Sequence, residues 1–246
     1  SMVRKLRETE MRKHNLNLLS LVNLCLVVVF FASGCNVECT STLCDRESNI
    51  VYNENFRYAE KGDLLFTDQQ AWSIEKYEGR GKVLSLNQQS KYEPPVRSPL
   101  NMALIEGVEV KTFIMDAKML STTDNYAHRD LCLFFGYQDP SHFYYVHIAN
   151  QSDPHANSIF IVNGEPRVSI AKTRTEGTRW DDQWHHVRLV RDYQNGLIEV
   201  YFDDLDNPIM TAVDTTFGCG KVGVGSFDDK GKFDEIQVWA EENGCE

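Results

Sequence analysis

Positive charge is scarce in this chain. Its 246 residues carry 25 Lys and Arg against 36 Asp and Glu, a formal net charge of −11, and such a surface repels phosphate backbones, which excludes nucleic acid as the partner. Beyond residue 34 no apolar run approaches the ~20 residues that span a bilayer. Metal-ligand spacing of the zinc type is missing, since there is no C-x-x-C pair and no Cys/His cluster. No G-x-S-x-G element or phosphate-binding glycine loop occurs, and helical periodicity is almost absent. Of the 7 prolines, Pro94, Pro95 and Pro99 sit together in Asn87–Leu100, which reads as a long surface loop rather than a domain boundary. There is no internal repeat. What remains is enough apolar material, 42% of residues, for one folded domain with extensions.

The exception to the shortage of apolar runs lies at the start. Arg4, Lys5, Arg7, Arg12 and Lys13 precede LNLLSLVNLCLVVVFFASGC, a basic segment followed by an export-type apolar segment. Ala32, Ser33 and Gly34 stand directly before Cys35, which resembles the lipobox of bacterial lipoproteins. The resemblance implies removal of residues 1–34, a lipid on the Cys35 thiol, and residence in the bacterial cell envelope, at the outer membrane or the cell surface. Membrane attachment would then be through lipid only. An ordinary secretory signal or an uncleaved anchor helix are the alternatives, and both place the body outside the cytoplasm. Residues 35–48, polar and aperiodic, form a tether, and 49–246 the domain. Apart from Cys25 and Cys35 the cysteines are Cys39, Cys44, Cys132, Cys219 and Cys245. The number is odd, and Cys132 in LCLFF reads as a free buried thiol. The others allow Cys39–Cys44 with Cys219–Cys245, or an N- to C-terminal staple through Cys245.

From residue 49 onward, short β-branched and aromatic runs alternate with turn residues: VLSL, VEVKTFIM, LCLFF, FYYVHIA, SIFIV, HHVRLVR, LIEVYFDD, KVGVGSF and FDEIQVW. About ten such strands predict an all-β, two-sheet antiparallel β-sandwich. Asn163-Gly164 and Asn195-Gly196 between apolar runs predict two hairpins. In LIEVYFDD, Ile198, Val200 and Phe202 alternate with Glu199, Tyr201 and Asp203, so one sheet face points inward. The order GTRWDDQWHHVRLVRDYQNGLIEVYFDD followed by KVGVGSFDDKGKFDEIQVW resembles the C-terminal half of the concanavalin A-like lectin/glucanase superfamily, which includes laminin G-like bacterial jelly rolls. The likeness spans residues 177–239 and implies a concanavalin A-like jelly roll. Functionally the superfamily mixes lectins, hydrolases, lyases and adhesion modules.

That resemblance implies a polysaccharide or oligosaccharide partner and a structural calcium held by Asp234, early in the last strand, with Asn55 from the first. Trp184 and Val187, on the superfamily's Trp-His strand, are expected in the core, with neither His185 nor His186 catalytic. Glycosidase chemistry is disfavoured, because the alternating Glu-x-Asp-x-Glu strand of laminarinase relatives has no counterpart here and Glu106 and Glu109, three apart, fall on opposite strand faces. The densest polar segment is SHFYYVHIANQSDPHANSIF. Alternation puts Phe143, Tyr145 and His147 on one face and Tyr144, Val146 and Ile148 on the other, the core-like one. Tyr145 and His147 are therefore expected to face outward, as a sugar platform with hydrogen-bonding groups from Tyr137, Asn150, His155, Arg97 and Arg129. The same set supplies the second reading, a polysaccharide lyase in which His147 or Tyr145 takes a proton, while Asn150 and Arg97 or Arg129 neutralise a uronate. A third reading is a structural or adhesion module. Oligomeric state is left open.

Overall fold

The computed structural model describes residues 48–58, 63–241 and 245. Sixteen strands form two antiparallel sheets, with two short 3-10 turns and no α-helix among the described residues. The nine-stranded sheet runs β11 (Ala171–Arg174), β14 (Met210–Val213), β13 (Leu197–Phe202), β12 (His185–Asp192), β6 (Phe113–Ser121), β16 (Gly231–Glu241), β4 (Gly81–Leu86), β3 (Trp72–Tyr77), and β1 (Ser48–Glu54) pairs with β16 off this path. The seven-stranded sheet runs β10 (Val168–Ser169), β9 (Ser158–Asn163), β8 (His142–Ala149), β7 (Asp130–Asp139), β15 (Gly220–Ser226), β5 (Asn101–Val110), β2 (Leu64–Phe66). This is the jelly-roll sandwich expected from the strand spacing. The order of non-consecutive neighbours, such as β12–β6–β16, shows that strands adjacent in sequence cross between sheets.

The core lies between the sheets. Phe113, Met115 and Ala117 of β6, Val187 and Leu189 of β12 and Ile236 and Val238 of β16 meet Leu133 and Phe135 of β7 and Tyr144, Val146 and Ile148 of β8, all buried. Both predicted hairpins form. After β12 the chain makes a 3-10 turn at Tyr193–Asn195 and Gly196, at φ 67°, returns it into β13 in register Asp192↔Leu197; the left-handed backbone there favours glycine. Of the cysteines, Cys219 and Cys245 are joined and Cys132 is free and buried. Cys39 and Cys44 lie outside the described residues, as do the signal segment, Cys35 and all but the last residue of the tether.

The seven-stranded sheet is buried on both faces. Its outer side carries a second apolar layer of Met102, Leu104, Cys132, Phe134, Phe143, Tyr145, Phe160 and Val162, against which Tyr92, Val96, Tyr137 and Phe227 pack half-buried. The roof is the segment 87–100. It is no loose surface loop: Ser90 N–H donates to Asn101 Oδ1 at 2.7 Å, Lys91 N–H to Asp68 at 2.9 Å, Leu100 N–H to the Phe227 carbonyl at 2.8 Å, and the Arg97 carbonyl accepts from Arg167 N–H at 3.3 Å. Its prolines fix φ and lower the entropy lost in holding this shape. Each large side chain so covered stabilises the fold by roughly 1.5–3 kcal/mol.

Candidate functional site

β8 alternates as its sequence predicts: Tyr144, Val146 and Ile148 enter the inter-sheet core, and Phe143, Tyr145 and His147 turn to the other face. The expectation that Tyr145 and His147 meet solvent is corrected, since they are 0% and 3% exposed. The reason is the roof. Tyr145 stacks on Phe160 at 5.1 Å, and His147 stands edge-on to Phe160 and Phe227. Burial lowers His147 to about 3, with the Arg167 charge adding to it, so the ring is neutral. Burial likewise pushes the Tyr145 hydroxyl well up. His147 Nδ1 accepts the Asn157 N–H at 3.3 Å, which leaves the ring proton on Nε2, 3.5 Å from Asp130 Oδ2. Asp130, Cys132 and His147 do offer an O, an S and an N within 4.8 Å of one another. The tautomer nevertheless points a proton, not a lone pair, at that spot, and the geometry does not suit zinc.

The remaining expected ligand residues do not gather into one open site. Buried Arg129 is consumed by Ser121 Oγ at 2.9 Å, the Ser121 carbonyl at 2.9 Å, the Trp180 carbonyl at 3.3 Å, and Asp182. Asn150 bridges Asn125, the Tyr126 carbonyl and Trp180 N–H, a structural tie. Half-buried Tyr137 packs on Phe143 at 5.4 Å. Arg97 is exposed on the roof, 5.6 Å from the Phe227 ring centroid. His155 is exposed in its loop, where its N–H donates to Asp153 at 2.6 Å. The arginine whose charge acts on both Tyr145 and His147 is Arg167, from the β9–β10 turn, with its guanidinium 4.0 Å from the Phe227 ring centroid. Sequence reasoning passed over it because nothing in VNGEPRV marks a turn residue as folding back over the sheet.

An open site lies at the end of the nine-stranded sheet. A cleft of about 430 Å³ is lined by Asn55, Arg57, Gly79, Arg80, Asp234 and Glu235. The bend that follows β1 delivers Asn55 and Arg57, and the β3–β4 turn delivers Gly79 and Arg80. In β16 the pairing with β6 shifts between Asp234 and Gln237, a bulge with Glu235 at φ 47°, so two consecutive carboxylates serve one cleft where a regular strand would separate them. Gly79, at φ 80°, opens the wall, with nothing within 4 Å of where a Cβ would stand. Arg80 Nη1 donates to Asp234 Oδ2 at 2.9 Å and to Glu235 Oε1 at 3.0 Å. Its guanidinium lies 4.6 Å from the centroid of Trp184, which Tyr77 meets edge-on at 5.4 Å. Trp184, expected in the core, is thus half-buried beside the cleft; Val187 is in the core as expected.

The cleft does bring together Asn55 and Asp234, the expected calcium ligands, but with a different partner. Arg80 already places a cation between Asp234 and Glu235, so this donor set does not fit calcium. A second acidic group has a better composition. One oxygen each of Asp130, Asp228 and Asp229 lie within 4.8 Å of one another. Asp130 is fully buried and its Oδ1 has no hydrogen-bond partner. Asp229 Oδ2 accepts from Asp130 N–H at 2.8 Å and the Tyr126 hydroxyl at 3.0 Å. Burial and the neighbouring Asp229 charge raise Asp130 well above the ordinary carboxylate range. A buried carboxylate oxygen without a donor, among other carboxylates, fits a hard divalent cation.

No protein-family model matches the chain, and no curated protein resembles it. Solved structures do. The chain is similar to the carbohydrate-binding module CBM66 from Bacillus subtilis, at 14% identity over 72% of this chain and 94% of that one, with a TM-score of 0.51. Domain 4 of AbnA, a GH43 extracellular arabinanase from Geobacillus stearothermophilus solved with arabinotriose, matches at 15% identity over 79% and 94%, TM-score 0.53. The carbohydrate recognition domain of Emp47p matches at 14% over 77% and 94%, TM-score 0.51. At these identities the likeness establishes the jelly-roll fold alone.

Proposed function

We propose that this domain binds carbohydrate and that the ligand sits in the Asn55–Arg80–Asp234–Glu235 cleft. The observation that carries this reading is the cleft itself: carboxylates that accept hydroxyl hydrogens and guanidinium and amide groups that donate to hydroxyl oxygens face one open space beside Trp184. The similar structures, a carbohydrate-binding module and a carbohydrate recognition domain among them, favour the same reading. The lyase reading finds no support in the burial of its two expected proton acceptors, His147 and Tyr145, which are both sealed from solvent.

The cysteine-bounded signal segment supports export, with lipid on Cys35 in the bacterial envelope. The Cys219–Cys245 bond agrees with an oxidising compartment. Structural calcium is assigned to Asp130, Asp228 and Asp229 rather than to Asp234. The test of function is retention on immobilised polysaccharides, followed together with the ultraviolet absorbance of unsaturated uronates. Retention without new absorbance, lost in Asp234→Asn, is the expected result. Absorbance that disappears in His147→Ala would replace binding by lyase chemistry.

A further inference from the structure

The charges around the cleft constrain its ligand further. Two guanidinium groups, Arg57 and Arg80, stand against two carboxylates, Asp234 and Glu235, so the lining as a whole is balanced. The positive charge of Arg80 is shared between both acids through one nitrogen, at 2.9 and 3.0 Å, and its guanidinium carbon lies over the Trp184 ring, 4.6 Å from the centroid. An incoming uronate or sulfate that engages Arg80 would have to take it from its two partners, and one that meets Arg57 instead still enters a cleft lined by both carboxylates; like charges brought this close repel. The whole chain, at −11, adds a long-range field of the same sign. A neutral polyol meets no such penalty: its hydroxyls donate to Asp234 and Glu235 while its oxygens accept from Arg80 and Asn55, and no ion pair need break.

We infer that the cleft selects an uncharged saccharide, in a segment of one or two sugar units, and discriminates against acidic glycans through Asp234 and Glu235. This rests on the carbohydrate-binding reading above. The volume of about 430 Å³ lies toward the small end of the ~300–1,000 Å³ typical of small-molecule sites, in keeping with a short segment rather than an extended chain. Asp234, buried at the cleft floor, is the selective acceptor; Glu235, exposed at its rim, is the main source of repulsion toward anions.

The test uses the full chain in detergent with calcium present, in affinity electrophoresis through gels containing either neutral arabinan and β-glucan or acidic polygalacturonate and alginate. Retardation by a neutral glycan only, weakened about tenfold or more by Asp234→Asn, is the expected outcome. Because Glu235 is exposed, Glu235→Gln serves as the variant whose folding is not in question. It should weaken neutral binding several-fold and produce slight new retardation in the acidic gels. Retardation by acidic glycan alone would overturn the inference while leaving carbohydrate binding intact. No retardation by any glycan would overturn both.

Discussion

The outer faces of the two sheets are built on opposite terms. On the seven-stranded sheet the outer face is apolar and sealed, with Phe134, Phe143, Tyr145 and Phe160 lying under the segment 87–100. On the nine-stranded sheet the outer face carries one small apolar cluster, Ile114, Val190 and Tyr201 with Leu205 and Trp239, and is otherwise a lattice of paired charges: Arg188 grips Asp116 at 2.6 and 2.7 Å, His186 approaches the same carboxylate at 3.0 Å, Lys232 bonds Glu75 and Ser85, and Arg80 bonds Asp234. The first arrangement adds a second core to a fold whose central layer is already complete. The second keeps polar groups organised at the surface, and its end opens into the cleft. Residues that look chemically equipped are therefore structural where the face is sealed, and those that look like ordinary turn residues are available where it is open.

Core substitution should separate the faces most sharply. Phe134→Ala on the sealed face removes a ring that touches Phe143 and Tyr145 and should cost about 3–5 kcal/mol, against about 0.5 kcal/mol or less for Lys118→Ala on the open face, both read by urea denaturation. Equal costs would erase the distinction. The next effect in size concerns calcium. At about a hundredfold excess over its dissociation constant, the ion should stabilise the protein by about 2.7 kcal/mol, seen as a melting temperature that rises with calcium and falls with chelator. Asp130→Asn should abolish that response, whereas Asp234→Asn should leave it intact; the reverse would return calcium to the cleft.

The smallest effect is electrostatic. Burial alone would raise Glu75, but hydrogen bonds from Lys232, Asn87, Ser73 and Ser85 outweigh it and hold the carboxyl at about 2, below its ordinary 4.5. Both folded and unfolded chains carry this charge at neutral pH. As pH falls from 4.5 towards 2 the unfolded chain takes the proton first, so this share of stability is lost across that window. Glu75→Gln should flatten the acid limb of the melting curve slightly, since the group is largely reached by water. An unchanged limb would show that the lattice of the open face contributes nothing to acid stability.

Strand content, the two Asn-Gly hairpins and the two faces of β8 were legible because each follows from local alternation and turn chemistry. The sealing of Tyr145 and His147 had a local signal that went unused. LCLFF, FYYVHIA and SIFIV are apolar at nearly every position, the pattern of strands buried on both faces rather than one. The roof itself was illegible, because Tyr92 and Val96 follow no period and lie in a segment whose Lys91, Arg97 and Leu100 bond residues far away in sequence. The cleft was half legible: Asn55 and Asp234 were singled out, but Arg80 in the turn EGRG gave no sign that it would reach a residue 154 positions away. Asp130 opening an apolar strand was a visible oddity. Its partners 98 and 99 residues on come close only through the pairing of β15 with β7.

The central claim is that ligand is held at the open cleft while the sealed face is architecture. Isothermal titration of one retained neutral oligosaccharide against wild type, Asp234→Asn and Tyr145→Phe tests it most directly. The buried Tyr145 hydroxyl has only the neighbouring Arg167 to interact with, so its removal should cost no more than about 1 kcal/mol and leave the fold intact. The account predicts affinity lost by about tenfold or more in Asp234→Asn and unaltered in Tyr145→Phe. Affinity lost in Tyr145→Phe and kept in Asp234→Asn would contradict it.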